Sequence, residues 1–235
     1  MNPKGGFSLE TTKALTDYLT NFISERRTEV LCQAIKNRTR YITVVLEDVY
    51  QSQNASAVLR TCECYGVQDV HIIENTNRFT LSPKVVLGAS KWLTMSRYNG
   101  ASCNTLKAIN NLKAGGYRII ATSPYAKHDL DSFNLNDGKF ALLFGTELSG
   151  LSDVALRNAD ETLRVPMVGL TESLNLSVTA AICIHTLLSR LRKSEINISL
   201  SDIEQSQLYL EWIRLSIKDC KSIEKRFFKE FSSQK

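Results

Sequence analysis

The sequence predicts an α/β fold, a parallel β-sheet with helices on both faces. Three observations lead there. Between residues 41 and about 190, short apolar runs alternate with segments of helical spacing, the pattern of strand–helix–strand units with parallel strands. Three of these runs pass directly into loops of small or polar residues: Thr122-Ser123-Pro124, Gly145-Thr146-Glu147 and Pro166-Met167-Val168-Gly169. Ligands of open parallel sheets bind at such strand ends. The hydrophobic share of 43% and charged share of 23% belong to a globular chain.

Each element follows from its residues. Residues 9–35 hold helix-compatible stretches. YITVVLE (41–47) is a β-branched run, and 51–65 keeps helical spacing through Ala55, Val58, Leu59, Cys62 and Tyr65. VHIIE (70–74) reads as a strand closed by the turn-prone Asn75-Thr76-Asn77. Residues 105–114 predict a helix stopped by Gly115-Gly116. YRIIAT (117–122), FALLF (140–144) and 162–165 are further strands, and 176–191 is a long helix. Ser201-Asp202-x-x-Gln205 predicts another helix start. The stripe Leu208, Leu210, Trp212, Ile213, Leu215, Ile217 beyond it is expected to pack on the core or on a second subunit. The expected organisation is a basic helical arm at 1–40, an α/β domain at 41–193 and a helical extension at 194–235.

Charge is uneven. Residues 1–40 hold seven Lys/Arg against four Asp/Glu, and 186–235 hold ten against seven, whereas 41–185 holds twelve against thirteen. Basic ends around a near-neutral centre suit a polyanionic partner, as well as plain solvated helix faces. The six cysteines form no CxxC pair and are expected to be buried free thiols. The histidines His71, His128 and His185 are scattered, so no metal is expected. No apolar run nears the roughly 20 residues of a membrane span, and the N-terminus lacks a signal-like apolar stretch. A cytoplasmic location, with no membrane partner, is the default expectation.

Several motifs fail on inspection. Gly145-Thr-Glu-Leu-Ser-Gly150 has the four-residue gap of a phosphate loop, but Leu151-Ser152 follows where a lysine is required. GxGxxG and GxSxG are absent. Asn54-Ala-Ser-Ala-Val-Leu-Arg60 is more telling, because it sets a charge early on an otherwise apolar helix. Pairing of Arg60 with Glu63, and capping by Asn54, are its plain structural readings.

Taken in order, Asn54…Arg60, Gly145-Thr-Glu147 and Pro166…Ser173-Leu-Asn175 resemble the three motifs of the SpoU branch of the SPOUT methyltransferase superfamily. Within it the chain is most similar to the TrmH group of tRNA guanosine 2′-O-methyltransferases. The likeness runs from about Arg26 to Arg192 and includes "ENTNR…GASKWL" (74–93) with Lys91-Trp92. Leu148-Ser149 departs from the bulkier or charged pair common in that group.

The resemblance implies a deep C-terminal trefoil knot, a homodimer, S-adenosyl-L-methionine as cofactor, and guanosine 18 of the tRNA D-loop as target. It implies a cofactor site at Thr122, Ser123, Gly145, Val165, Met167, Val168 and Leu174. The implied catalytic set is Arg60, Asn54, Glu147, Ser173 and Asn175. Arginine holds its proton above about pH 12, so Arg60 is expected to stabilise a nascent alkoxide rather than act as a base. Arg26, Arg27, Arg38, Arg40, Lys91, Arg190, Arg192 and Lys193 are the candidate RNA contacts. Three alternatives stay open here: a ribosomal-RNA 2′-O-methyltransferase, an inactive RNA-binding module on the same fold, and an unrelated small-molecule α/β enzyme.

Overall fold

Seven parallel strands run in the order β3-β2-β1-β6-β4-β7-β5 in a computed structural model that describes residues 9–232. They are β1 (Ile42–Glu47), β2 (Asp69–Ile73), β3 (Thr94–Tyr98), β4 (Arg118–Thr122), β5 (His128–Asp129), β6 (Phe140–Phe144) and β7 (Glu161–Arg164). Every residue of β1 and β6 is buried, as central strands covered on both faces must be.

Alternate side chains feed two apolar layers, following the strand period of two. Ile42, Val44 and Leu46 of β1 face one layer with α3 (Ser52–Tyr65) and α7 (Leu176–Arg192), through Val58, Leu59, Ile184 and Leu187. Val45 faces the other, with Ile109 and Leu112 of α5 (Asn104–Ala114) and Ala155 of α6 (Asp153–Asn158). Helix α3 stops at Gly66, whose φ of 83° lets its N–H turn back onto the Cys62 and Glu63 carbonyls. A short helix, α4 (Pro83–Val86), and a 3-10 turn (Ala89–Trp92) lead into β3.

The chain divides into two contact units, residues 39–198 around the sheet and a second drawn from both ends. In the second, α1 (Leu9–Thr20) touches α8 (Asp202–Ser216) and α9 (Cys220–Ser232), and α2 (Glu25–Lys36) touches α8. Its buried apolar residues include Leu15, Leu19, Leu31, Ile35, Leu208, Leu210, Trp212, Ile213 and Phe227. The α8 stripe therefore packs on α1 and α2, an alternative that the sequence analysis did not raise. Its last members depart from the expectation, since Leu215 is 52% exposed. The first eight residues of the expected basic arm lie outside the described residues. Helix α8 starts as expected at Ser201, but Glu204 closes the capping box, while the Gln205 amide donates to the Leu200 carbonyl.

All six cysteines are free, but only Cys62 and Cys183 are buried, and Cys64 is exposed. Among the described residues no helix is long and apolar enough to cross a membrane, and no three His, Cys, Asp or Glu side chains cluster as metal ligands.

Candidate active site

The chain leaves β1 in one direction through β2 and β3, and the sheet continues on the other side of β1 with β6, β4, β7 and β5. A parallel sheet opens a crevice at the carboxyl ends of strands where its order reverses in this way. Beside it, the loops after β4, β6 and β7 surround a cavity of about 500 Å³ at the carboxyl ends of those strands. Its wall is apolar at Phe144, Leu151, Leu163, Val165, Leu174 and Leu176, with Glu147, Glu172 and Arg164 as charged lining.

Gly145 explains the shape of the middle loop. A Cβ there would stand 2.1 Å from the carbonyl carbon and oxygen of Gly150 and 2.3 Å from the Leu151 nitrogen. The closeness comes from a two-bond bridge: the Thr146 N–H donates to the Gly150 carbonyl (2.9 Å), and the Gly150 N–H to the Thr146 carbonyl (3.0 Å). Ser149 supports it, its N–H reaching the Thr146 hydroxyl at 3.1 Å. The two glycines thus make a collapsed hairpin beside the cavity, not a phosphate loop.

Three of the polar residues expected from the motifs come together on one rim. The Asn54 amide donates to Glu147 Oε1 (2.6 Å) and Gln51 Oε1 (3.1 Å), while its oxygen accepts from Asn175 Nδ2 (3.2 Å). Asn175 Oδ1 accepts from the Ser177 N–H at 2.8 Å, making it the N-cap of α7. Asn54 is buried and does not cap its helix, since Gln51 is the N-cap of α3. Ser173 is exposed, lines the cavity and caps nothing.

Glu47 is a residue whose role the sequence analysis missed. Buried at the end of β1, it accepts from the Thr105 hydroxyl (2.5 Å), the Ser152 hydroxyl (2.7 Å) and the Ser152 N–H (2.8 Å). It fastens the starts of α5 and α6, and with them the far end of the Gly145–Gly150 loop. An acidic residue closing an apolar strand was its only advance signal.

The remaining candidates divide. Thr122, Ser123, Gly145, Val165, Met167 and Leu174 line the cavity. Val168 does not: it is fully exposed (105%) and outside the lining, which corrects the expectation for it. Arg60 is exposed on α3 and outside the lining. It stands six positions beyond Asn54, so the helical period of 3.6 puts the two side chains on different faces.

Three expected RNA contacts are corrected, because they are buried or half-buried and partners remote in sequence already engage them. Arg38 is 3% exposed, with its guanidinium 4.9 Å from the centre of the Trp212 ring. Arg40 donates to both oxygens of Asp69, at 3.2 and 3.0 Å. Arg190 donates to the Leu130 and Phe133 carbonyls. Arg26 and Lys193 are exposed, Arg192 is exposed although it donates to the Tyr65 carbonyl at 2.7 Å, Arg27 is half-buried, and the exposed Lys91 ammonium lies 4.6 Å from the Trp92 ring centre.

The chain is similar in sequence and in fold to known proteins. The model of the SpoU rRNA Methylase family matches residues 41–185. A tRNA (guanosine(18)-2′-O)-methyltransferase of Borreliella burgdorferi is 44% identical over 207 residues, covering 88% of this chain and 93% of that protein. The TrmH/SpoU tRNA modifying enzyme of Aquifex aeolicus has a similar fold, with a TM-score of 0.73 at 22% identity, covering 83% of this chain and 98% of that one. The SpoU methyltransferase AviRb of Streptomyces viridochromogenes, solved with AdoMet, gives 0.56 at 21% identity over 69% of this chain and 62% of its own.

Proposed function

The chain belongs to the SpoU rRNA methylase family, and from that premise we propose that it is an S-adenosylmethionine-dependent tRNA guanosine 2′-O-methyltransferase acting at guanosine 18. The observation that carries the reading is the linked Asn54–Glu147–Asn175 rim beside the cavity. It joins one residue from each of the three family motifs within hydrogen-bonding distance.

The residues present fit the cofactor. An apolar slot edged by loop backbone suits an adenine, which needs nearby donors and acceptors. The missing side chain at Gly145 leaves the collapsed loop close to that slot. Glu147 and Glu172 suit a cationic sulfonium and ammonium, and Arg164 suits a carboxylate. Thr122, Ser123, Gly145, Val165, Met167 and Leu174 would hold it. When bound, the cofactor supplies a methyl group already activated for in-line displacement.

The protein's part is then to aim the ribose oxygen and manage its charge. Both amide hydrogens of Asn54 are occupied, so it is a positioning residue that fixes Glu147 against α7. Glu147 uses Oε1 for Asn54, and its carboxylate is the acceptor offered to the 2′-hydroxyl. Arg60 stabilises the developing alkoxide and clamps the adjacent phosphate.

Because Arg60 stands away from the cavity of its own chain, we assign it to the site of a second copy in a homodimer. Leu148 (101% exposed), Val168 (105%) and Leu170 (104%), on the two loops bordering the cavity, support an apolar interface there. The family reading also supports a deep trefoil knot around the segment between β7 and α7, a catalytic domain at 41–193 flanked by 1–40 and 194–235, and a cytoplasmic setting. Arg26, Arg27, Lys91, Arg192 and Lys193 remain the proposed phosphate contacts.

The test is incubation of purified protein with methyl-labelled cofactor and either tRNA or ribosomal RNA, followed by mapping of the modified ribose. One 2′-O-methylguanosine in tRNA is expected. Labelling of ribosomal RNA alone would overturn the substrate.

A further inference from the structure

Beyond the three motifs, the most heavily braced loop at the carboxyl edge of the sheet follows β2. Asp48, directly after β1, adopts a left-handed φ of 51°, which few residues other than glycine accept. In that conformation its Oδ1 receives three successive backbone N–H groups, from Asn75 (2.7 Å), Thr76 (2.9 Å) and Asn77 (3.2 Å). The Asn77 amide returns to the Asp48 carbonyl at 2.9 Å. A run of amides converging on one oxygen is an anion-binding concavity, here filled by the protein's own carboxylate.

The rest of the loop is pinned as well. Glu74 accepts from Arg97 (2.7 and 3.0 Å), the Asn99 amide (3.0 Å) and the Phe79 N–H (2.8 Å). Further on, the Ser82 N–H donates to the hydroxyl of Ser56 at 2.8 Å. Ser56 is fully buried in the first turns of α3, two residues after Asn54. The loop is therefore fastened to the same helical turn that carries the site's positioning residue.

Between these anchors stands Arg78, exposed and, among the described residues, without a hydrogen-bond, ion-pair or ring partner. Its situation is the reverse of that of Arg38, Arg40 and Arg190, which are committed to protein groups. The parallel sheet puts the ends of β2, β1 and β6 on one edge. At about 5 Å per strand, Arg78's loop sits roughly 10 Å along that edge from the Glu147 loop. That separation suits a neighbouring phosphate rather than the reacting nucleotide.

We propose that residues 75–82 form an RNA-backbone contact in which Arg78 binds a phosphate flanking the methylated ribose, and that Asp48 is the positioning residue holding the loop at that height. The inference rests on the RNA-methylating function proposed above. A braced loop keeps the arginine from losing much conformational freedom on binding, which is what the Asp48 and Glu74 clusters provide.

The test compares parent protein with Arg78→Ala, Arg78→Lys and Asp48→Gly. Glycine keeps the left-handed backbone and removes only the carboxylate. Affinity for unmodified tRNA is measured by fluorescence anisotropy across a salt series, with cofactor affinity by calorimetry and steady-state kinetics alongside. Arg78→Ala is expected to weaken tRNA binding roughly tenfold and lower the log–log salt slope by about one. The loss should fall on KM for tRNA rather than kcat, with lysine restoring the slope. Asp48→Gly is expected to lose a similar share of the slope although Arg78 is intact. An unchanged slope in Arg78→Ala, or lost cofactor binding there, overturns the contact. A full slope in Asp48→Gly overturns the positioning role. Failure of the underlying function would be seen separately, in parent protein that binds no tRNA and transfers no methyl group.

Discussion

Gly145→Ala tests the architecture of the site most directly. The added methyl would lie 2.1 Å from two Gly150 backbone atoms, whereas ordinary contact begins near 3.4 Å, so the strands of the hairpin must part by about 3.4 − 2.1 = 1.3 Å. Both bridge bonds, at 2.9 and 3.0 Å, would then stretch to about 4.2 Å or beyond, past any useful hydrogen bond. The obstacle is backbone, so no rotamer change relieves it. Forced overpacking of this kind costs about 1–3 kcal/mol, which lowers Tm by roughly 2–12 °C for a chain of this size. The larger effect should fall on the cofactor, because the displaced loop forms one side of its slot. Calorimetric titration should report at least a roughly tenfold weaker Kd, the equivalent of about 1.4 kcal/mol. Gly169→Ala is the control, since its nearest neighbour atom is 4.0 Å away. Parent-like cofactor affinity in G145A would refute the claim that the collapsed hairpin shapes the pocket.

Arg60→Ala and Asn54→Ala should each abolish methyl transfer with cofactor Kd nearly unchanged. If Arg60 serves the site of a second copy, mixing the two inactive proteins under subunit exchange restores part of the activity, and a mixture that exchanges yet stays inactive sinks that assignment. Asn175→Asp keeps a good cap for α7 but turns an acceptor toward the Asn54 oxygen, so Tm should hold within a few degrees while the initial rate falls by about 10²-fold or more; a normal rate would remove Asn175 from the site. For Glu74, hydrogen bonding from Arg97 leads, with Phe79 and Asn99 adding to it against burial, and together they hold the carboxyl down from 4.5 to about 2. Its stabilisation is complete above about pH 4.5 and drains away as the pH falls toward 2, so Glu74→Gln should flatten the loss of Tm across that window in thermal melts.

Much of the sheet is legible because its central strands lie between two helix layers. YRIIAT and FALLF are apolar on both faces, and that leaves a plain trace in sequence. Strand β3 is not, since TMSRY alternates at the sheet edge with only Tyr98 buried. The two-residue β5 and the six-residue α6 are too short to build a period. The arginines were misread for a different reason. A charge count cannot see that Trp212, Asp69 and the Leu130 and Phe133 carbonyls will be brought to Arg38, Arg40 and Arg190. Nor can periodicity show that α1 and α2 meet α8, because that pairing joins segments about 200 residues apart. The candidate site was legible in part: Asn54, Glu147 and Asn175 follow β1, β6 and β7, whose ends lie on one edge of the sheet, whereas Arg60 and Val168 stand outside the cavity lining.

The polar run before α7 illustrates why structure and chemistry are hard to separate here. An N-cap needs an oxygen directed at the first free N–H groups of the helix, and Asn175 Oδ1 supplies it to Ser177. In an amide, fixing the oxygen also fixes where the nitrogen points. At Asn175 the nitrogen is thereby directed to the Asn54 oxygen, and Asn54 in turn gives a hydrogen to Glu147. Aspartate would cap the helix equally well but would offer Asn54 no donor, and serine would have to accept and donate through one oxygen on a shorter side chain. The cap alone would allow several residue types, and so would a polar lining of the cavity alone. An amide meets both demands through two separate atoms of one side chain, and the start of α7 thereby sets the orientation of a carboxylate on the loop after β6.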